Sequence, residues 1–144
     1  MRIVIQRSGK SNVRVNSKVF GEIDHGMVIF VCMEKGDTLS TVEKAAKKIQ
    51  SIRIFEDDDG KMNKSLTDVQ GSILAISQFT LSWKGTKGNR PSFDQSMPPT
   101  EAEHMFNQFL RILKESHSVA TGKFGASMDV QIQNLGPVTF CLDF

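Results

Sequence analysis

The sequence predicts an α/β fold in which two amphipathic helices pack on β-sheet. Apolar residues recur at helical spacing in only two windows, residues 42–52 and 105–113. Short alternating or fully apolar runs, bounded by turn residues, fill the stretches before, between and after those windows. The resulting order of strands, helix, strand, helix and strands is that of a mixed α/β domain. With 144 residues, 39% hydrophobic and 24% charged, the chain fits one domain covering residues 1–144. The strands outnumber what two helices can cover. A second sheet layer, or a partner subunit, is therefore expected over the other face.

The first third reads as strands. Ile3, Ile5 and Arg7 alternate with Val4 and Gln6, and Val13-Arg14-Val15 repeats the pattern. Val19 to Ile23 and Met27 to Cys32 follow, and the second run is apolar on both faces, which predicts a central strand. Asn16-Ser17 and Asp24-His25-Gly26 supply turns between them. Ser40-Thr41-Val42-Glu43 has the form of a capping box. The helix it opens carries Val42, Ala45, Ala46, Ile49 and Ile52 on one stripe and Lys44, Lys47 and Lys48 on its solvated side. Arg53-Ile54-Phe55 starts the next strand, and Asp57-Asp58-Asp59-Gly60 is a turn. Ile73 to Phe79 is a second buried strand with polar Ser77 and Gln78 near its end, and Trp83 to Ser92 is a Gly-rich basic loop. Pro98-Pro99 leads into Thr100-Glu101-Ala102-Glu103, a second capping box, and Met105, Phe106, Phe109, Leu110 and Leu113 form the stripe behind it. Strands resume after Gly122. Met128, Val130 and Ile132 alternate with Asp129, Gln131 and Gln133, and Val138 to Leu142 closes the domain.

Composition removes several classes of chemistry. No apolar run approaches the ~20 residues a membrane-spanning helix needs. Met1 to Arg7 is too short and too alternating for a secretory signal, so the cytoplasm is the expected location. A net charge of +2 neither demands nor excludes nucleic acid. Cys32 and Cys141 each lie in an apolar run, far apart, which predicts two buried thiols in a reducing compartment rather than a zinc site. Gly9-Lys10-Ser11 is no phosphate loop, because Val4 stands where that motif needs its first glycine. A calcium loop ending its turn at Gly60 would take Phe55 as first ligand, which cannot coordinate. His25, His104 and His117 share no ligand or pairing spacing, and no Gly-x-Ser-x-Gly elbow occurs. With two cysteines, three histidines and no tyrosine, ordinary catalytic side chains are scarce. No metal or cofactor is expected.

Two stretches remain unusual. Ser77-Gln78-Phe79-Thr80-Leu81 ends a buried strand in hydroxyls and an amide, and Asn134-Leu135-Gly136-Pro137-Val138-Thr139 puts Gly-Pro between two strands. Singly, each reads as a strand end and an ordinary turn. Together they resemble the paired signatures Ser-Gln-Phe-Thr-Leu and Asn-x-Gly-Pro-Val-Thr of the D-aminoacyl-tRNA deacylase (D-tyrosyl-tRNA deacylase) family, of bacterial and general eukaryotic type. The resemblance is collinear and runs end to end, through Ile5-Gln6-Arg7, Arg53-Ile54-Phe55-Glu56-Asp57, Gly60-Lys61-Met62-Asn63, Arg90-Pro91-Ser92-Phe93 and Thr121-Gly122-Lys123-Phe124-Gly125-Ala126. The animal relatives that remove misplaced L-alanine differ at both signatures. Trp83-Lys84-Gly85-Thr86 is the one departure, and it bears on tRNA preference.

The resemblance implies a three-layer α/β/β domain with mixed sheets and hydrolysis of the ester joining a D-amino acid to the 3′-terminal adenosine of tRNA. Such a reaction needs a positioned water, oxyanion stabilisation and a base. The signatures carry no ionisable side chain, and Thr80 has no base written beside it to make it a nucleophile. The family is read as RNA-assisted, with the ribose 2′-OH contributing. Ser77, Gln78, Phe79 and Thr80 are then expected to position water and oxyanion, with Thr80 acting as nucleophile the alternative. The resemblance further implies that Gly136 and Pro137 form a cis-peptide wall contributed across a homodimer, backed by Arg7, Val138 and Thr139. A pocket preference alone is worth only ~1–3 kcal/mol, so chirality is better enforced by a clash against the L side chain. Such a wall cannot reject glycine, so activity on glycyl-tRNA is expected. Phe124, Gly125, Ala126 and Met128 correspond to the family's pocket for the terminal adenine. Lys84, Lys87 and Arg90 are candidates for phosphate contacts from a flexible loop. The alternative from another class is a non-catalytic nucleic-acid-binding module on the same fold, since animal members have been linked to DNA replication origins.

Overall fold

Strict alternation at the start of the chain builds the first strand, and the fold grows around it. A computed structural model describes residues 1–86 and 88–144. In chain order these form β1 (Arg2–Ser8), β2 (Ser11–Val15), β3 (Lys18–Ile23), β4 (Gly26–Cys32), α1 (Leu39–Ser51), β5 (Phe55–Glu56), β6 (Met62–Lys64), β7 (Ser72–Ser77), α2 (Pro99–Lys114), β8 (Val119–Thr121), β9 (Asp129–Gln131) and β10 (Asn134–Asp143). The main sheet has the order β10-β1-β4-β7-β8, with β4 at its centre as its apolar faces predict. β1 runs antiparallel to both β10 and β4, while β7 runs parallel to β4 and β8. A second sheet, β3-β2-β9, and a small β5-β6 pair complete the architecture.

The two-residue period of a strand sorts these side chains into two cores. Ile3, Ile5, Met27, Ile29, Val31, Ile73 and Ala75 face the helices, where Val42, Ala45, Ala46 and Ile49 of α1 and Phe106, Phe109 and Leu113 of α2 meet them. Val28, Leu74 and Ile76, one residue out of phase, pack with Val13 and Ile23 between the two sheets. The second sheet thus covers the face the helices leave open, and the three-layer α/β/β expectation holds. Phe109 is fully buried at the centre of the helix layer, and truncating it to Ala is expected to cost about 3–5 kcal/mol. Gly26 is required where β4 begins, because at φ +141 any side chain would run into the Ser72 backbone. No helix among the described residues is long and apolar enough to cross a membrane.

Several boundaries differ from expectation for identifiable reasons. α1 is capped two residues earlier than the sequence motif suggests. Thr38 is its N-cap, exchanging hydrogen bonds with Thr41, and Glu43 stays exposed. α2 has no side-chain cap at all: Pro98 occupies the cap and Pro99 the first turn, where a proline's missing N–H is harmless, so Thr100 lies inside the helix. The strand over 73–79 stops at Ser77, and Phe79–Ser82 turns into a 3-10 helix. β8 precedes Gly122 rather than following it, as a short edge strand pairing parallel to β7. Gly136-Pro137 lies within β10, not between strands. Cys32 is buried as expected, but Cys141 is exposed, because its neighbour Leu142 takes the helix-facing side of β10 and the core between the two sheets includes no residue of that strand.

Candidate active site

The C-terminal end of β7 delivers the first signature to the surface. The Gln78 N–H donates to the Val31 carbonyl at 2.8 Å, continuing the β4 pairing one residue beyond the strand. The chain then tightens, and Leu81 N–H donates back to the Gln78 carbonyl at 3.3 Å. The Gln78 amide donates to Thr80 Oγ1 at 2.6 Å. Thr80 therefore accepts from its neighbour and keeps its own proton for an outward bond. Ser82 Oγ and Cys32 Sγ both donate to the Phe79 carbonyl, at 2.8 and 3.5 Å, which fixes that oxygen inward. Phe79–Thr80 is a trans peptide, since Gly136-Pro137 is the cis bond among the described residues. Its Thr80 N–H accordingly points opposite to that carbonyl, towards the exposed side of the turn. Burial, aided by the charge of Glu34, pushes the Cys32 thiol up to about 11, so it remains a neutral donor behind the turn.

Beside this turn opens a cavity of about 680 Å³. Ser77, Gln78 and Phe79 line one part of its wall, and Phe124, Gly125, Ala126 and Met128 line another. Phe79 is more than half exposed, and its ring meets Phe93 edge-on at 4.9 Å. Phe124 leans on Phe106 of α2 at 6.1 Å between centroids, so a helix-layer side chain backs the aromatic wall. Two of the groups predicted from sequence are thus brought together. Thr80 sits on the adjoining turn rather than in the wall, and neither Gly136 nor Pro137 lines the cavity of its own chain.

The second signature is built around a bulge. β1 and β10 are in register from Arg2↔Asp143 to Gln6↔Thr139, and the next pair is Ser8↔Asn134. One residue of β1, Arg7, thus faces four of β10, Leu135 to Val138, and these swell outward with an exposed cis Gly136-Pro137 at the apex. Arg7 fills the gap. It is only 8% exposed, and its guanidinium donates from Nε to the Leu135 carbonyl at 3.1 Å, from Nη1 to the Ile54 carbonyl at 3.2 Å and from Nη2 to Glu56 at 2.9 Å. Val138 N–H donates to Asn134 Oδ1 at 3.1 Å, and Thr139 Oγ1 accepts from Asn134 at 2.9 Å and from Gln6 at 3.2 Å. Asn134 therefore staples the bulge from within. The signature includes Asn134, and its stapling role comes from these contacts across the bulge.

Lys84 and Arg90 lie exposed on the loop after the turn, away from the cavity wall, and Lys84 with Trp83 borders a separate depression of about 210 Å³. Lys87 lies outside the described residues. Lys35, which no sequence pattern singles out, does line the main cavity. It reaches there through a tertiary pairing of residues 33–35 with 95–97, for which no local pattern exists. Among the described residues no group of three or more His, Cys, Asp or Glu side chains could hold a metal ion.

A family model described as D-Tyr-tRNA(Tyr) deacylase matches residues 4–143. The chain belongs to that family. Relatives named D-aminoacyl-tRNA deacylase match over almost the whole of both chains. The protein of Lactobacillus helveticus is 47% identical over 144 residues, and that of Saccharophagus degradans 45% over 143, with 99% of each chain covered in both cases. A solved structure named "c-Myc DNA Unwinding Element Binding Protein" superposes with a TM-score of 0.95 at 39% identity, covering 100% of this chain and 99% of that one. A second, described as a probable eukaryotic D-amino acid tRNA deacylase, shares the fold at a TM-score of 0.83 and 17% identity, covering 99% and 98%. Membership of the deacylase family makes the chain an enzyme, a hydrolase that deacylates D-aminoacyl-tRNA.

Proposed function

We propose that this deacylase holds the 3′-terminal adenosine of tRNA in the 680 Å³ cavity and hydrolyses the D-aminoacyl ester beside the Phe79–Thr80 peptide. The observation that carries the reading is the juxtaposition, in one cavity wall, of an aromatic and thioether surface (Phe124, Met128) with the strand end Ser77 to Phe79. A splayed-out adenine stacks well on such a surface. The Thr80 N–H, turned outward by the anchored Phe79 carbonyl, is oriented to stabilise an oxyanion. Thr80 Oγ1, oriented by Gln78, positions water or the ribose hydroxyl rather than attacking, because no base lies within its described hydrogen bonds. The whole chain is read as one deacylase domain, acting in the cytoplasm where tRNA is charged.

Gly136 and Pro137 form the wall against L side chains, and they do so in the site of a second copy. Support comes from their absence from the lining of their own cavity, their exposure at the apex of the bulge, and the unpaired edge strand with Phe140, 36% exposed, that carries them. Lys84 and Arg90 follow the RNA backbone. A wall that tests only the L side chain leaves glycyl-tRNA as a substrate.

The deciding assay presents purified protein with D-tyrosyl-, L-tyrosyl- and glycyl-tRNA. Release of D-tyrosine and glycine with the L ester intact is the expected result, and equal loss of the D and L esters overturns it. Light scattering should return twice the 16.0 kDa chain mass. The name borne by the 39% identical structure supports a second reading, DNA binding. A gel shift with single-stranded and duplex DNA at physiological salt tests it.

A further inference from the structure

One charged group in the cavity has no part in the scheme above. Lys35 is the single ionisable side chain among the described residues lining the cavity wall. It is exposed, so it stands at the mouth. Its backbone is held rigidly: Lys35 N–H donates to the Gln95 carbonyl at 2.9 Å, Met97 N–H donates to the Met33 carbonyl at 3.0 Å, and Glu34 bridges Ser96 between them. The nearby carboxylates are turned away. Glu34 and Asp37 both pair with the Met1 ammonium, at 3.3 and 2.6 Å. Among the described residues the Lys35 side chain has no salt-bridge partner.

We propose that Lys35 binds the phosphodiester immediately preceding the terminal adenosine of the substrate. The inference rests on the deacylase reading and deepens it. Phe124 and Met128 account for the base, and the Ser77–Thr80 segment accounts for the ester. The remaining chemical feature of the last nucleotide is its 5′ phosphate, which is also its only anion. The amino acid end carries a cationic α-amino group, which an ammonium repels, so a lone lysine at the mouth fits the phosphate end and not the ester end. The RNA chain then passes residues 33–35 on its way into the cavity, and Lys35 becomes a determinant for a nucleotide-linked ester over a free one.

The test uses CpA dinucleotides carrying 3′-D-tyrosine, one with the natural phosphodiester and one with an uncharged methylphosphonate linkage. Wild-type protein is expected to show a KM about 5- to 10-fold higher on the neutral linkage with kcat unchanged. Lys35→Ala should raise KM by the same factor on the phosphodiester and be indifferent to the linkage, while Lys35→Arg restores the wild-type preference. On D-tyrosyl-tRNA, Lys35→Ala should flatten the slope of log(kcat/KM) against log[salt] by about 0.7, the value for one phosphate contact to a single strand. A Lys35→Ala loss that is equal on both linkages places the lysine at the ester and overturns the proposal, as does no loss on either. Wild-type protein inert towards all three substrates refutes the deacylase reading itself.

Discussion

Replacing Arg7 with Lys keeps the positive charge and removes the planar fork that grips the Gly136–Pro137 segment. The guanidinium makes three hydrogen bonds, in three directions, to the Leu135 carbonyl, the Ile54 carbonyl and Glu56. A single ammonium on a flexible stem can keep one carbonyl at most. The Glu56 carboxylate is 56% exposed, so its pairing is worth only about 0–1 kcal/mol. The lost carbonyl bond, made to a charged donor, is worth about 1.5–3 kcal/mol. The summed loss is about 1.5–4 kcal/mol, which at ~2–4 °C per kcal/mol lowers the melting midpoint by about 3–16 °C. Leu135 adjoins Gly136, so a lysine that releases its carbonyl also loosens the segment proposed as the wall against L side chains, and the ratio of D- to L-tyrosyl-tRNA hydrolysis should fall. Thermal melts and paired deacylation assays on Arg7→Lys and Glu56→Gln check both effects. Glu56→Gln should change neither by much. The reasoning is falsified if Arg7→Lys melts at the wild-type midpoint and discriminates as well.

Further outcomes follow from neighbouring geometry. At Gly136, φ is +128, and an added Cβ would lie 2.6 Å from Val138 Cγ2 and 3.0 Å from Arg7 Nη2. Gly136→Ala should therefore lose more stability than Gly60→Ala, where φ is also positive but nothing lies within 4 Å. The strain part alone is ~1–3 kcal/mol, and equal melting midpoints for the two variants would refute the clash. Thr80→Ala should retain turnover within about tenfold of wild type, since one neutral hydrogen bond is worth about 1 kcal/mol; complete inactivity would restore the nucleophile. Iodoacetamide at neutral pH should label exposed Cys141 and spare Cys32, as peptide mapping will show. With its folded value raised above the unfolded one, Cys32 contributes stability that is present below about pH 9 and lost as pH climbs towards about 11. Cys32→Ala should make denaturation midpoints less steeply dependent on pH in that window.

Local pattern made much of this molecule legible. Continuous apolarity marked β4 as central, and the stripes of α1 and α2 were correct almost residue for residue, because burial of one face is a local property of periodicity. The capping boxes failed for a different reason at each helix start. At α1 Thr38 and Thr41 satisfy each other, and at α2 two prolines set the first turn without any hydroxyl. The two signatures were visible as motifs, yet their physical roles were not. That Arg7 stands opposite four residues of β10, or that Cys32 and Ser82 clamp one carbonyl, depends on pairings between distant segments. Lys35 shows the same limit. It is an ordinary loop lysine in sequence and becomes part of the cavity only through its pairing with residues 95–97.

The sparse chemistry of the cavity has a kinetic consequence. Apart from Lys35, the described lining residues are hydroxyl, amide, apolar or aromatic side chains, and none is a carboxylate, imidazole or thiol. An enzyme whose own general base titrates near neutrality shows an inflection in its pH–rate profile at that group's pKa. Under the mechanism proposed above, the groups left to move protons are the ribose hydroxyl beside the ester and a water positioned at the Phe79–Thr80 turn. The α-amino group of the ester also titrates near neutrality, but it does so in the uncatalysed reaction as well. Dividing kcat/KM by the spontaneous hydrolysis rate of the same D-aminoacyl-tRNA at each pH removes that shared contribution. The quotient should be flat from about pH 6 to 9. A rise or bell within that window would mean that a protein side chain carries the proton. His117, half-buried with its pKa lowered by burial, would be the first group to replace even though it lies outside the cavity wall. A flat quotient would locate catalysis in backbone donors and in the RNA, which is the arrangement the anchored Phe79 carbonyl and the outward Thr80 N–H support.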